Sequence, residues 1–391
     1  MPSAPTAEAT GTRPFGAARL ARLPSGALAD VLHLGRTLGA LDLAGGVPGS
    51  PLPPRAVLEA AAEELLRGDN QYEDTSGNLL LREQLAAGFA TPADAGDEVT
   101  ITTGASEALC VAMLATVDPG DEVILLEPFY ENFLAALTTA GAVPRFVRLR
   151  APDWRWDPAE LAAAFGPRTR AVVVNSPANP TGRTLTRGEL EQLAALCERW
   201  DVTVVSDEVY ADFVYDGRRH VSVADVPGLR ERSIVVGSLS KSHAVSGWRL
   251  GFLRARRGIT EALRQVHLAT SFGANGPLQR AVARSGVLTG DWNPREDMAA
   301  RRDRAVALFA GLGLDTVAPE GGCYVMAGIR PVTDADCRTF VHRLAERRKV
   351  LVVPGRCFFR DHRGDSGYVR VAFNKSPGTL AEAERRLAAG L

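Results

Sequence analysis

The stretch Gly237-Ser238-Leu239-Ser240-Lys241 sets two hydroxyls around a lysine, with Arg249 eight residues further on. A lysine between two hydroxyls, with an arginine close by, is a polar cluster of the kind a ligand site needs. The plain alternative is a solvated loop lysine. Three other stretches carry comparable potential. Thr102-Thr103-Gly104-Ala105-Ser106-Glu107 is a glycine turn opening a helix, where free N–H groups and the helix dipole favour an anion. Alone, it also reads as an ordinary strand-to-helix turn capped by Ser106. Asn175-Ser176-Pro177-Ala178-Asn179-Pro180-Thr181-Gly182 has two X-Pro steps and a closing glycine, which make either a rigid loop able to aim Asn179 or a surface turn. In Ser206-Asp207-Glu208-Val209-Tyr210, Asp207 stands where an apolar run ends. A carboxylate emerging there needs a cation, unless it is a capping residue.

The elements that must position these residues follow from periodicity. Short apolar runs at 98–102, 122–126, 145–149, 171–175, 202–206, 233–237 and 249–254 read as strands. Helical patterns lie between most of them, as at 106–116 and 187–199. This alternation predicts an α/β large domain: a mainly parallel seven-stranded sheet covered by helices on both faces. In such sheets ligands gather beyond the carboxyl ends of the strands, which is where the four stretches fall. Upstream, 55–67 predicts an amphipathic helix with Gly68 as its C-cap. Beyond about 285, an Arg/Ala-rich helix at 294–311 precedes strand-like runs at 323–329, 350–353 and 367–373 and a helix from about 378. These predict a smaller α+β domain. The expected division is a disordered tail at 1–13, an N-terminal part of the small domain at 14–54, the large domain at 55–285 and the C-terminal small domain at 286–391.

Composition narrows the function. The 391 residues carry a formal net charge of −1, which offers no general attraction to nucleic acid or anionic lipid. No apolar run approaches the ~18 residues of a membrane span, and the first thirteen residues lack the apolar core of a signal peptide. The five cysteines are scattered without a C-x-x-C, and the six histidines form no H-x-x-x-H pair, so neither a disulfide framework nor a metal site is indicated. A cytoplasmic setting is expected. Only three of the 45 basic residues are lysines: Lys241, Lys349 and Lys375. The arginine excess reads as compositional bias and most of it as surface, while Lys349 and Lys375 read as ordinary.

The four stretches, taken together, resemble the class I/II aminotransferases, fold-type I enzymes dependent on pyridoxal 5′-phosphate. The resemblance runs from Asp42 to the C-terminus and is strongest in Ser-Leu-Ser-Lys241 and Asn179-Pro180-Thr181-Gly182. It implies that Lys241 carries the cofactor aldehyde as a Schiff base and shuttles the proton at the substrate Cα, for which it must be neutral. It implies that Asp207 pairs with the pyridine nitrogen, and that Tyr210 and Asn179 hydrogen-bond the ring hydroxyl. Gly104, Ala105, Ser106, Ser238, Ser240 and Arg249 match the phosphate site. Tyr130, in Glu127-Pro128-Phe129-Tyr130, matches the aromatic stacked on the ring. Arg370, in Tyr368-Val369-Arg370-Val371, matches the arginine that clamps the substrate α-carboxylate, and Gly46 matches the small residue lining the substrate pocket. Tyr72 matches a tyrosine that crosses to the partner's phosphate, which implies a homodimer with composite sites.

The implied activity is ping-pong transfer of an amino group from an L-amino acid to a 2-oxo acid. The same fold also supports elimination, replacement or cyclisation at an amino acid, and remotely a cofactor-binding regulator. Only about forty residues precede Asp42, too few for a DNA-binding head. The chain departs from the family where Glu73-Asp74 follow Tyr72: the two acids suit either a solvated turn or a cationic substrate side chain.

Overall fold

A computed structural model describes residues 16–24, 26–67, 70–360 and 366–391. The tail expected at 1–13 and the C-cap expected at Gly68 lie outside these residues. The large sheet is built from β1 (Val99–Thr102), β2 (Glu122–Glu127), β3 (Val143–Arg148), β4 (Thr169–Asn175), β5 (Thr203–Asp207), β6 (Ser233–Ser238) and β7 (Gly251–Ala255). Its spatial order is β1-β7-β6-β5-β4-β2-β3. All pairings are parallel except those of β7, which runs antiparallel to both β1 and β6.

The apolar strands are continuous because both of their faces are buried. Val172, Val174, Val204 and Val235 face one core with Leu161, Leu190 and Leu193 from the helices Pro158–Ala164 and Arg187–Trp200. Ala171, Val173, Val205, Ile234 and Val236 face the other, with Ala108, Leu109, Phe133 and Leu263 from the helices Gly104–Thr116, Glu131–Thr139 and Arg257–Thr270. Helix Arg187–Trp200 starts at a full capping box, Thr186 with Glu189, and stops where Asp201 turns left-handed at φ 53°.

The rest of the chain forms a separate antiparallel sheet in the order Val353–Pro354, Tyr368–Ala372, Tyr324–Gly328, Asp315–Thr316, with helices Arg295–Gly311, Cys337–Arg347 and Pro377–Leu387. The run expected as one strand at 350–353 is two short strands. Val350–Leu351 pairs in parallel with Leu41–Asp42, whereas Val353–Pro354 joins the four-stranded sheet. Residues near the N-terminus are thereby tied to the C-terminal third of the chain.

Candidate active site

The site forms at the carboxyl edge of the large sheet. Asn175 is paired with Asp207, so the loop leaving β4 and the carboxylate ending β5 stand side by side. The reversal of β7 brings in the next participant. Because β7 runs antiparallel, its starting end lies at the edge where β1 and β6 finish, and Gly251 is opposite both Thr102 and Ser238. Arg249 therefore arrives at the same edge although it precedes a strand. It does so with φ 54°, a left-handed conformation that costs a non-glycine residue about 1 kcal/mol.

That turn lays the Arg249 guanidinium against Gly104, the first residue of helix Gly104–Thr116. A Cβ at Gly104 would collide with it, and one at Gly251 would come within 2.6 Å of the Gly104 carbonyl carbon. Thr103, at the helix N-cap, makes no side-chain cap, so the first-turn N–H groups stay available. Ser238 caps the short helix Leu239–Ser242 that carries Lys241, accepting from Ser240 N at 3.1 Å. The result is an uncapped helix start, a guanidinium and two serines placed together, an anion cradle.

The rest of the cleft, about 260 Å³, is lined by Gly46, Ala105, Ser106, Tyr130, Asn179, Asp207, Tyr210, Ser238, Ser240, Lys241, Arg249 and Arg370. A larger cavity of about 490 Å³ lies behind the lysine helix, and of the expected residues only Ser238 lines it. The chemistry converges in the smaller one. Burial pushes the Asp207 carboxyl up to about 7, and its one hydrogen bond comes from Val209 N at 3.1 Å. Among the described residues no cation pairs with it. Burial also lowers Lys241, with Arg370, Arg249 and Lys375 adding to the effect, and its Nζ donates to the Gly46 carbonyl at 2.8 Å. A lysine so placed favours the neutral amine.

Arg370 is 1% exposed, and its guanidinium lies over the rings of Tyr324 and Phe358 at 4.1 and 4.7 Å. It donates to Asn179 Oδ1 at 2.8 Å and to the Ala44 carbonyl at 2.7 Å, while Nε has no partner. Both of the acceptors it has are neutral, so its charge is unmatched within the site.

Two expected residues stand apart. Gly104 underlies the cleft without lining it. Tyr72 is 84% exposed and packs its ring at 60° against Phe272, centroids 5.0 Å apart, without lining the cleft of its own chain. The neighbouring acids are already engaged: Glu73 pairs with Arg280 at 3.0 Å, and Asp74 accepts from Ser76 N at 2.7 Å.

Six lining residues of the site were given no role in the sequence reading. Tyr324 accepts from the Tyr210 hydroxyl at 3.2 Å, and Leu28, Val47, Leu109, Val209 and Ser246 complete the lining. Tyr324 also accounts for Gly46, since a Cβ there would strike the Tyr324 hydroxyl.

The profile of aminotransferase class I and II matches residues 40–387. A Mycobacterium tuberculosis protein described as a probable N-succinyldiaminopimelate aminotransferase, DapC, is 34% identical over 376 residues, covering 92% of this chain and 94% of its own. The arginine–pyruvate transaminase AruH of Pseudomonas aeruginosa is 35% identical over 345 residues, covering 86% of each chain. Among solved structures, N-succinyldiaminopimelate aminotransferase from Mycobacterium tuberculosis superposes with a TM-score of 0.91 at 32% identity, covering 96% of this chain and 99% of that one.

Proposed function

The chain belongs to the class I and II aminotransferases, and on that premise we propose that it holds pyridoxal 5′-phosphate at Lys241 and moves the amino group of an L-amino acid to a 2-oxo acid by a ping-pong route. The observation that carries this reading is the pattern of unmatched charge in one cleft. A buried carboxylate without a cation lies at one end, an anion cradle at the other, and a lysine with a lowered pKa between them.

The residues fit the cofactor at each of its polar groups. Asp207 would hold a proton on the pyridine nitrogen, which repays the burial of its charge. The helix start at Gly104, Ala105 and Ser106, with Ser238, Ser240 and Arg249, would hold the phosphate. Tyr130 would cover the ring face. Asn179 already accepts from Arg370 through Oδ1, so its Nδ2 is the group left to join Tyr210 at the ring hydroxyl. Once bound, the cofactor supplies an electron-withdrawing ring that stabilises negative charge at the substrate Cα.

The remaining work falls to the chain itself. Arg370, flat between two rings, would clamp the α-carboxylate with the paired N–H groups that lysine lacks. Lys241, whose ammonium form is disfavoured by burial and by the nearby cations, would take the Cα proton and return it. Gly46 leaves space along the pocket. Among the described residues no disulfide joins the five cysteines, which supports a reducing, cytoplasmic setting. No helix among the described residues is long and apolar enough to cross a membrane.

The discriminating experiment supplies amino acids singly, with and without a 2-oxo acid. A new amino acid appearing only when the acceptor is present is the expected result. Pyruvate and ammonia released from one amino acid alone would replace this reading with a lyase.

The exposed Tyr72 supports a homodimer in which it reaches the partner's phosphate site. Chains carrying Tyr72→Ala and Lys241→Ala should each be poorly active alone. Hybrid dimers should recover activity, because one of their two sites then holds both wild-type residues. No recovery in verified hybrids would place Tyr72 in its own chain's site or in none.

A further inference from the structure

Lys375 is not the ordinary lysine expected from the sequence. It is buried, 6% exposed, and its Nζ donates to Asp42 Oδ2 at 3.1 Å and to the Gly45 carbonyl at 2.7 Å. Both contacts bind one short loop, 42–46, whose polar groups are almost all spoken for. Asp42 Oδ1 accepts from Ala44 N and Gly45 N at 2.8 and 2.7 Å. Leu43 donates to Leu351 O at 2.9 Å and accepts from Ala372 N at 2.8 Å.

Two carbonyls of that loop hold the amine and the guanidinium on which the reaction depends. The Ala44 carbonyl accepts from Arg370 Nη2 at 2.7 Å. The Gly46 carbonyl accepts from Lys241 Nζ at 2.8 Å and from Asn374 Nδ2 at 3.1 Å. Ala44, Gly45 and Gly46 have no polar side chains of their own, so their backbone carbonyls and N–H groups are held by Asp42 from within and by Lys375 from outside. Asp42 is held below the usual carboxylate range, against its partial burial, by Lys375 and the two loop N–H groups.

We propose that Lys375 is a positioning residue of the transaminase site: braced by Asp42, it fixes loop 42–46 and so sets Arg370 and Lys241 in register with each other. The inference rests on the roles given above to those two residues. Without the ammonium, the Gly45 carbonyl would be buried without a donor and Asp42 would lose its partner, so the loop would have reason to shift. Both working groups would then be misaligned from a distance, which costs rate steeply even for small displacements.

Lys375 also adds positive charge around Lys241. Its removal should raise the pH midpoint of the bound cofactor's absorbance, whereas Asp42→Asn, which leaves the ammonium uncompensated, should lower it. Opposite shifts are a signature that simple destabilisation does not produce.

The test uses the cofactor-loaded wild type, Lys375→Met and Asp42→Asn. In Lys375→Met, we expect KM for the amino donor to rise about tenfold and single-turnover conversion to slow, with cofactor still covalently retained. The pH midpoints should move apart in the directions given. Unchanged KM and midpoints in both variants, or midpoints moving the same way alongside a lowered Tm, would overturn the proposal. If Lys375→Met fails to fold, Asp42→Asn, at a half-exposed position, decides alone through its midpoint. Loss of covalent cofactor from the wild type would instead defeat the reading of Lys241 on which this one stands.

Discussion

Lys241→Ala is expected to abolish transamination, with kcat/KM down by at least about 10³-fold. The size follows from the residue having two duties, covalent retention of the cofactor and proton transfer at Cα, with no substitute nearby. The scarcity of lysine makes the result unusually clean. Lys349 is exposed and Lys375 is engaged by Asp42, so borohydride reduction of the wild-type protein should fix the cofactor to one peptide, the one containing Lys241. In the alanine variant, no cofactor should survive denaturation after reduction. Lys241→Arg provides the control for charge: it keeps a cation in the cleft but never a neutral base, so it should be equally inactive. A covalent label on any other residue, or turnover by the arginine variant near that of the wild type, would refute the assignment.

The sequence made this lysine legible because a strand, a tight turn and hydroxyls are local features, readable from composition and period. Asp207, Asn179 and the Gly104 turn were legible for the same reason, each standing at a predicted strand end. The sheet itself followed from apolar runs buried on both faces. What sequence pattern cannot show is direction. The stretch 249–254 reads as one more strand in either sense, yet the antiparallel course of β7 is what delivers Arg249 to the edge where β1 and β6 end. Its role was suggested by resemblance, and its route only by the pairing.

Long-range partners were hidden more completely. Tyr324 sits in an apolar run without any local mark, and its meaning depends on a collision with a glycine 278 positions earlier in the chain. Lys375 looked ordinary because its environment is made by loop 42–46, which reaches it through the pairing of Leu41–Asp42 with Val350–Leu351 and the contact of Leu43 with Ala372. Likewise, Arg82, Arg183, Arg254, Arg301 and Arg302 are buried, although their type suggested surface. Their guanidinium groups meet carbonyls and carboxylates that no period predicts, such as Arg302 with Asp216 at 2.6 Å and Arg254 with Thr91 O at 2.7 Å.

Asp207→Asn tests the other pole of the site, and its consequences should differ in sign between the cofactor-free and cofactor-loaded protein. In the cofactor-free chain the carboxyl is pushed up to about 7 by burial, against about 3.9 when unfolded. The folded state therefore holds this proton more tightly than the unfolded state does. Its contribution to stability is fully present below pH ~4 and is lost as pH rises through 7. The full loss, on the order of 4 kcal/mol for about three pKa units, applies when the carboxylate ionises with no cation beside it. Tm of the cofactor-free wild type should fall between about pH 4 and 7 more steeply than that of Asp207→Asn. The difference between the two proteins isolates this group from Glu208, whose own burial is outweighed by His220 and which is held low in both. With cofactor bound, the order reverses: the pyridine nitrogen supplies the missing cation, and the wild type should gain stability above pH 7 that the asparagine variant does not. Asparagine can hydrogen-bond the nitrogen but cannot keep it protonated, so turnover should drop by about 10²–10³-fold while covalent cofactor is retained at Lys241. Parallel Tm curves for the two cofactor-free proteins, together with near-normal turnover by the variant, would remove Asp207 from the role given to it.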